Sequence, residues 1–534
     1  MGKAFTANEN SIKVRRFLPF MAVYSFSYAS SSSFVQRPLL RGTHPTQASL
    51  PTPSSSLVKT LICRDPQKQK PSKEKKMFAR VKVLLQWQYN FDAVDCNRCA
   101  VNKPTLLKPA KIRPKSNPPT SRHDNPKFAV ATQYSNFNSK TTLDSDCESE
   151  FQTERGLKFD VGGTFFRHES ATGRDLGLLA AALYEKSKGK LRVLDALCGC
   201  GIRSVRYLVE AEADFVLAND ANDENRKVIT ENLSQVESGS GDEARWAVSL
   251  TDANRVMTEC YLKRDFFDLI DIDSFGSVSS FLRSSFNALK LDGLLYVTST
   301  DGLWSDGHRP QQTLAAYGAY VQPMPYLNEL GLRMLIGGAV REASVLGYRV
   351  TPLFSYYSYH GPIFRVMLQV NRGKLPDNKH YGFIGYCNSC GSCKEYSWVE
   401  LGRISCPCSD SKVSKALVVS GPLWTGPLHD TAYITEMLSL AEEWGWAGSE
   451  TGTDLDKLLN QMVAESDPKL PFGYIKLDEV ASRAKVNSPT LRAVVSALQE
   501  EGYAVSRSHI ESNAIKTNCP MEDCVRIVEQ LHQR

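Results

Sequence analysis

This chain has no uninterrupted apolar run approaching the roughly 20 residues that a membrane-spanning helix needs, so a transmembrane anchor is not expected. Carboxylates are nearly missing from one end. Residues 1–64 hold a single acid, Glu9, beside Arg15, Arg16, Arg37 and Arg41 and the Ser-rich stretches "SFSYASSSSF" and "PTPSSSL". That is the composition of an organelle transit peptide, with plastid the expected address and mitochondrion the alternative; an unstructured basic tail is the plainer reading. No internal repeat is found, which excludes solenoids and propellers. The 14 cysteines are spread along the whole chain without the dense pairing of a small secreted scaffold, so reduced thiols are expected.

What is present is unevenly charged. Residues 1–140 carry 24 Lys+Arg against 6 Asp+Glu, so the net charge of +6 combines +18 there with −12 in the rest. Bulk charge therefore does not advertise a nucleic-acid surface on the folded part, and any such surface must be a local patch. "KQKPSKEKK" and "KPAKIRPKSNPPTSRHDNPK" continue the disordered character, interrupted by the short apolar island "RVKVLLQWQYNF", for which there is no functional account. The expected division is a disordered basic extension over 1–150, a catalytic domain over 151–375 and a C-terminal domain over 376–534.

From Phe151 onward the pattern becomes that of a folded α/β domain. A helix-like run spans Asp175 to Lys186, and strand-like "LRVLDAL", "DFVLAND", "ARWAVSL", "FFDLIDID" and "GLLYVTST" alternate with helix-like segments. Such alternation implies a parallel sheet with helices on both faces and ligands beyond the carboxyl ends of its strands. From about Ala432 the chain reads as helices throughout.

The acids cluster at those strand ends. Asp195 ends the first strand and is followed by Gly199 and Gly201 before a helix, a turn that lets backbone approach a ligand. Asp220, 19 residues after Gly201, ends the second strand, where a carboxylate can accept ribose hydroxyls. Asp252 and Ala253 follow the third, positioned for an adenine amino group and ring nitrogen. A pyrophosphate-binding G-x-G-x-x-G would need a third glycine, but Ser204 stands there, which disfavours a nicotinamide oxidoreductase and favours S-adenosylmethionine (SAM).

The fourth strand runs into "DIDSFGS". An exocyclic amine on a nucleobase is a poor nucleophile because its lone pair is delocalised into the ring. Acceptors that grip its N–H groups free that lone pair for attack on a sulfonium methyl, and an aromatic ring can hold the base. Asp273, Ser274 and Phe275 supply those parts. Helix capping by Asp271 and Asp273 is the bland alternative.

Together with "GRDLGLL", "LTDANRVM", "GPLWTGPLHD" and "AIKTNCP", these motifs resemble the tRNA guanine-26 N2-dimethyltransferase family over residues 151–534. The resemblance implies a Rossmann-like SAM-dependent domain, an α+β C-terminal domain, and formation of N2,N2-dimethylguanosine at position 26 of tRNA. Carried over, the SAM contacts fall on Arg174, Arg203, Asp220, Asp252 and Ala253, the catalytic carboxylate on Asp273 and the base-facing aromatic on Phe275. The chain departs from the family pattern D-x-D-P-[FY]-G at Ser274, from its N-R-D at Gly173, and from an "FYNP"-like segment at "FFRHES". A diverged organelle paralogue fits these departures. Ser274 is also the one feature favouring a tRNA-binding or chaperone protein that has kept the fold and lost the chemistry.

Cys387, Cys390, Cys406 and Cys408 have the spacing of a zinc ribbon, with Cys393 spare. The segment from Leu477 reads as a winged helix, and Lys516, Thr517 and Asn518 match the family's lysine-bearing motif, which suggests phosphate contacts. His308, His360 and His429 are read as structural. The expected partner is tRNA; no protein partner can be inferred.

Overall fold

The computed structural model describes residues 151–236, 244–372, 379–406, 408, 416–447 and 455–533. The transit-peptide, basic-tail and apolar-island expectations lie outside the described residues. A hairpin of β1 (Phe151–Glu154) and β2 (Leu157–Asp160) precedes a seven-stranded sheet of β3 (Arg192–Asp195), β4 (Phe215–Asn219), β5 (Trp246–Ser249), β6 (Phe267–Asp273), β7 (Leu289–Ser299), β8 (Tyr348–Ser358) and β9 (Ile363–Arg372). Its order is β5-β4-β3-β6-β7-β9-β8, with the first five strands parallel and β9 antiparallel to both β7 and β8.

The strands are apolar on both sides because both sides are covered. Neighbouring residues alternate between two cores, as the two-residue repeat of a strand requires. Val193, Leu269, Leu294 and Tyr296 face one core with the helices Ala171–Lys188 and Ile202–Val209. Leu194, Ile270, Leu295 and Val297 face the other with Ala253–Lys263, Leu282–Ala288 and Leu327–Val345.

Two features of the C-terminal part depart from the sequence reading. The helices Thr431–Glu443 and Leu455–Glu465 fold back onto the first core, where Ile434, Met437, Leu440 and Leu459 pack with Leu176 and Leu179. Packing thus crosses the boundary expected at 375. The stretch after Ala432 is also not all helix. β13 (Ile475–Lys476), β14 (Val505–Arg507) and β15 (Ala514–Thr517) form an antiparallel sheet around the helices Leu477–Ala484, Leu491–Glu500 and Met521–Gln533. Strands of two to four residues are too short to print a period in the sequence. A third sheet, β10 (Tyr381–Cys387), β11 (Cys393–Tyr396) and β12 (Leu417–Trp424), carries the cysteine module in the order β11-β10-β12.

Candidate active site and metal centre

The chain leaves β3 to build β4 and β5 on one side and returns to build β6 and β7 on the other, so strand order reverses at the β3/β6 boundary. Open α/β sheets bind ligands beyond the strand ends at such a point. A cavity of about 730 Å³ lies here, with Gly199, Arg203, Asp220, Asp273 and Phe275 in its wall. Its volume is in the range that holds a cofactor-sized ligand.

Gly199 and Gly201 have φ of +57° and +85°, backbone that favours glycine, and Gly201 caps the helix Ile202–Val209. A Cβ on Gly199 would meet nothing within 4 Å, so the glycine serves the turn. Asp220 braces the same turn: its carboxylate accepts from the Gly199 N–H at 3.0 Å, the Asn222 N–H at 2.9 Å and Asn225 Nδ2 at 3.2 Å. Three of its roughly four acceptor sites are therefore engaged. Asp195 is buried behind the wall. Its Oδ2 accepts from Ser204 Oγ at 2.8 Å while Oδ1 has no partner. Burial, then the nearby charge of Asp271, pushes its pKa up to about 7. The neighbouring thiols of Cys198 and Cys200 are held neutral by burial, which argues against a cysteine nucleophile.

Arg174 lines the cavity, but its guanidinium is committed to Glu154 and lies over the Phe166 ring, 4.8 Å from the centroid. Glu154 is shared with the fully buried Arg206, which also holds Asp175 at 2.7 Å. Asp252 is exposed and caps its helix by accepting from the Arg255 N–H at 3.1 Å; neither it nor buried Ala253 is part of the cavity wall. The cap engages one oxygen of Asp252, Oδ1.

At the end of β6, Asp273 faces the cavity between two guanidiniums. Arg203 donates to Asp273 Oδ2 and, at 2.9 Å, to Asp271 Oδ1. Arg365 Nη1 lies 3.4 Å from Asp273 Oδ1. Asp271 is buried and accepts from Tyr207 Oη at 2.8 Å, so only the second carboxylate of "DID" reaches the cavity. Ser274 is buried in the cavity wall and its Oγ donates to the Thr298 carbonyl at 3.0 Å; the Gly276 N–H donates to Thr300 Oγ1 at 2.7 Å. The turn after β6 is thereby stapled to the end of β7. Phe275 is 71% exposed and meets Phe165, itself 59% exposed, edge to face at 5.0 Å. Sequence reasoning missed Phe165 and Arg365. Their available signals were the Phe-Phe-Arg cluster in "TFFRHES" and a lone charge inside apolar "IFRVMLQV".

The sulfurs of Cys387, Cys390, Cys406 and Cys408 lie within 4.8 Å of one another, a donor set that could hold a metal. Cys393 stands apart, its thiol 2.7 Å from Tyr326 Oη. A second cluster, His429, Glu465 and His509, is less suited to one. Both Glu465 oxygens serve His509, and His429 Nδ1 accepts from the Ser355 N–H at 3.3 Å, which leaves the proton on Nε2. His429 thus keeps a structural role, and burial pushes its pKa well below the ordinary value.

Lys516 contradicts the phosphate-gripping expectation. It is 4% exposed, with Nζ 2.6 Å from Oε2 of Glu329 on the helix Leu327–Val345. Arg333 completes the cluster at 2.7 Å.

A family model for N2,N2-dimethylguanosine tRNA methyltransferase matches residues 153–529. The chain is 30% identical over 367 residues to the tRNA (guanine(26)-N(2))-dimethyltransferase of Thermococcus kodakarensis, covering 67% of this chain and 90% of that protein. It is 32% identical over 355 residues to the enzyme of the same name from Pyrobaculum aerophilum, covering 66% and 86%. Trm1 from Pyrococcus horikoshii, solved in complex with S-adenosyl-L-methionine, shares the fold with a TM-score of 0.59 at 24% identity, over 71% of this chain and 99% of that one.

Proposed function

This chain belongs to the N2,N2-dimethylguanosine tRNA methyltransferase family, and we propose from that premise that it transfers methyl groups from SAM to the N2 amine of guanosine 26 in tRNA, forming N2,N2-dimethylguanosine. The observation that carries the reading is the convergence of Asp273 and Asp220, from separate strand ends, on one cavity.

When bound, SAM supplies an electrophilic methyl on a sulfonium, and the cavity walls formed by Arg174, the Gly199 turn and Asp220 would hold it. Asp273 accepts hydrogen bonds from the N2 amine, and the backbone carbonyls of the stapled Ser274 turn offer a second acceptor. These contacts restrain the lone pair from delocalising into the ring. Phe275 and Phe165 present exposed ring surface to an extruded base. Once N2 has been methylated it carries a positive charge and becomes a strong acid, so its proton can pass to the Asp273 carboxylate beside it. Ser274, the one feature favouring a protein without chemistry, holds its loop through its own hydrogen bond to Thr298.

Two further proposals attach to this one. The four clustered thiolates hold a structural zinc, as closed Cys₄ sites do. Residues 1–64 direct the protein to the plastid or mitochondrion, supported by their composition; a fluorescent fusion of that segment remaining in the cytosol would refute this.

Labelled-SAM transfer to tRNA tests the main proposal. Wild-type protein is expected to label guanosine, and Asp273→Ala is expected to lose the label. Undiminished labelling by the variant removes the role assigned to Asp273.

A further inference from the structure

Arg365 is a buried cation in the middle of a strand that is otherwise apolar from Ile363 to Leu368, and burial of a charge is costly unless something answers it. The sheet register identifies what answers it. Asp273 on β6 pairs with Thr298 on β7, and Thr298 pairs with Arg365 on β9, so the three residues form one row across three strands. Along that row Arg365 Nη1 donates to Thr298 Oγ1 at 2.8 Å and reaches Asp273 Oδ1 at 3.4 Å.

The row is completed from above by an omission. The helix Ala171–Lys188 crosses this face with a glycine at 173, a residue less favourable in a helix than alanine. A Cβ there would stand 2.4 Å from Arg365 Nε, 2.8 Å from Cδ and 2.9 Å from Cζ. Gly173 is thus a notch into which the arginine is seated. Arg203, on the other carboxylate oxygen, is divided between Asp273 and Asp271, and Asp271 would retain it wherever Asp273 pointed. Arg365 has Asp273 as its one ion-pair partner among the described residues.

We infer that Arg365, seated in the Gly173 notch and braced by Thr298, is the positioning residue that aims the Asp273 carboxylate into the cavity. This rests on the proposed role of Asp273 in gripping the substrate amine. One guanidinium on each oxygen fixes the plane of the carboxylate, and the remaining acceptor sites stay available to the amine.

Three full-length variants test the inference: Arg365→Gln, Arg365→Lys, and Gly173→Ala, which keeps every functional side chain and only fills the notch. For each, kcat for tRNA methylation is expected to fall at least tenfold, with KM for tRNA and the calorimetric Kd for SAM within twofold of wild type. Crystals of Gly173→Ala are expected to show the Asp273 carboxylate rotated away from its wild-type orientation. Added to Asp273→Ala, Arg365→Gln is expected to change the residual single-turnover rate by less than twofold, since nothing remains to be aimed. The inference is overturned if folded Arg365 and Gly173 variants keep kcat within twofold, or if their losses multiply with that of Asp273→Ala. Full activity of Asp273→Ala itself would instead overturn the reading on which the inference rests.

Discussion

Asp273 and Ser274 are adjacent, yet they do separable work, and substitutions should separate them. On the proposed function, Asp273→Ala deletes the group assigned to grip the amine, and a loss of about 100-fold or more in kcat is expected. Ser274→Ala removes one hydrogen bond to the Thr298 carbonyl. It is expected to cost about 1 kcal/mol of stability in denaturant titration and less than tenfold in kcat. Asp273 was legible because the "DIDSFG" stretch keeps strand, acid and aromatic together in ten residues or fewer. Arg365 was not, because the contact joins residues 92 apart on antiparallel strands and only the folded register brings them into line. Asp252 shows an ambiguity of the opposite kind. A strand-end acid beside a helix start suits both a ligand contact and a cap, and local sequence does not choose between them; the structure uses the cap.

Among the elements, the helix Leu327–Val345 and strand β15 are fastened by charge. Burial works to raise the Glu329 carboxyl, but Lys516, Arg333 and the Gly473 N–H outweigh it and hold its pKa at about 2. The folded value lies below the ordinary one of about 4.3, so the stability this carboxylate contributes is present above that pH and is lost as pH falls toward 2. Glu329→Gln should therefore be less stable than wild type at pH 6, and the gap should close as the pH is lowered from 5 to 2.5 in urea titrations. Lys516→Met, which leaves the buried carboxylate with Arg333 and the Gly473 N–H but without its lysine, is expected to cost about 3–5 kcal/mol. A lysine in "AIKTNCP" looks like a phosphate ligand because sequence does not reveal burial, and the partner that neutralises it lies 187 residues away. The cysteine module was legible for the opposite reason: its four cysteines come in two local pairs, the first beginning at Cys387 where β10 ends. Chelation is expected to release one zinc per chain and to lower the melting temperature, and Cys390→Ser should abolish stoichiometric zinc in elemental analysis; unchanged metal content would refute the assignment.

On the scale of the molecule, the sheet has two covered faces, and one cover comes from far along the chain. Tyr433 Oη donates to the Ala180 carbonyl at 3.1 Å, and Trp446 lies beneath Arg155, 4.6 Å from its guanidinium carbon. A fragment of residues 151–375 would expose the helix Ala171–Lys188 where Ile434, Met437 and Leu459 cover it. It is expected to aggregate or to bind a hydrophobic dye, whereas 151–534 should remain monodisperse by light scattering. Alternating strands and helices gave away the sheet and the strand ends that form the site. The returning helices carry an ordinary amphipathic pattern, which records that one face is buried without saying against what. The most direct measurement is mass spectrometry of nucleosides from unmodified tRNA incubated with the purified protein and SAM. Dimethylated guanosine mapping to position 26, lost with Asp273→Ala, is the expected result; no methylated guanosine, or an unchanged yield with that variant, would contradict the account.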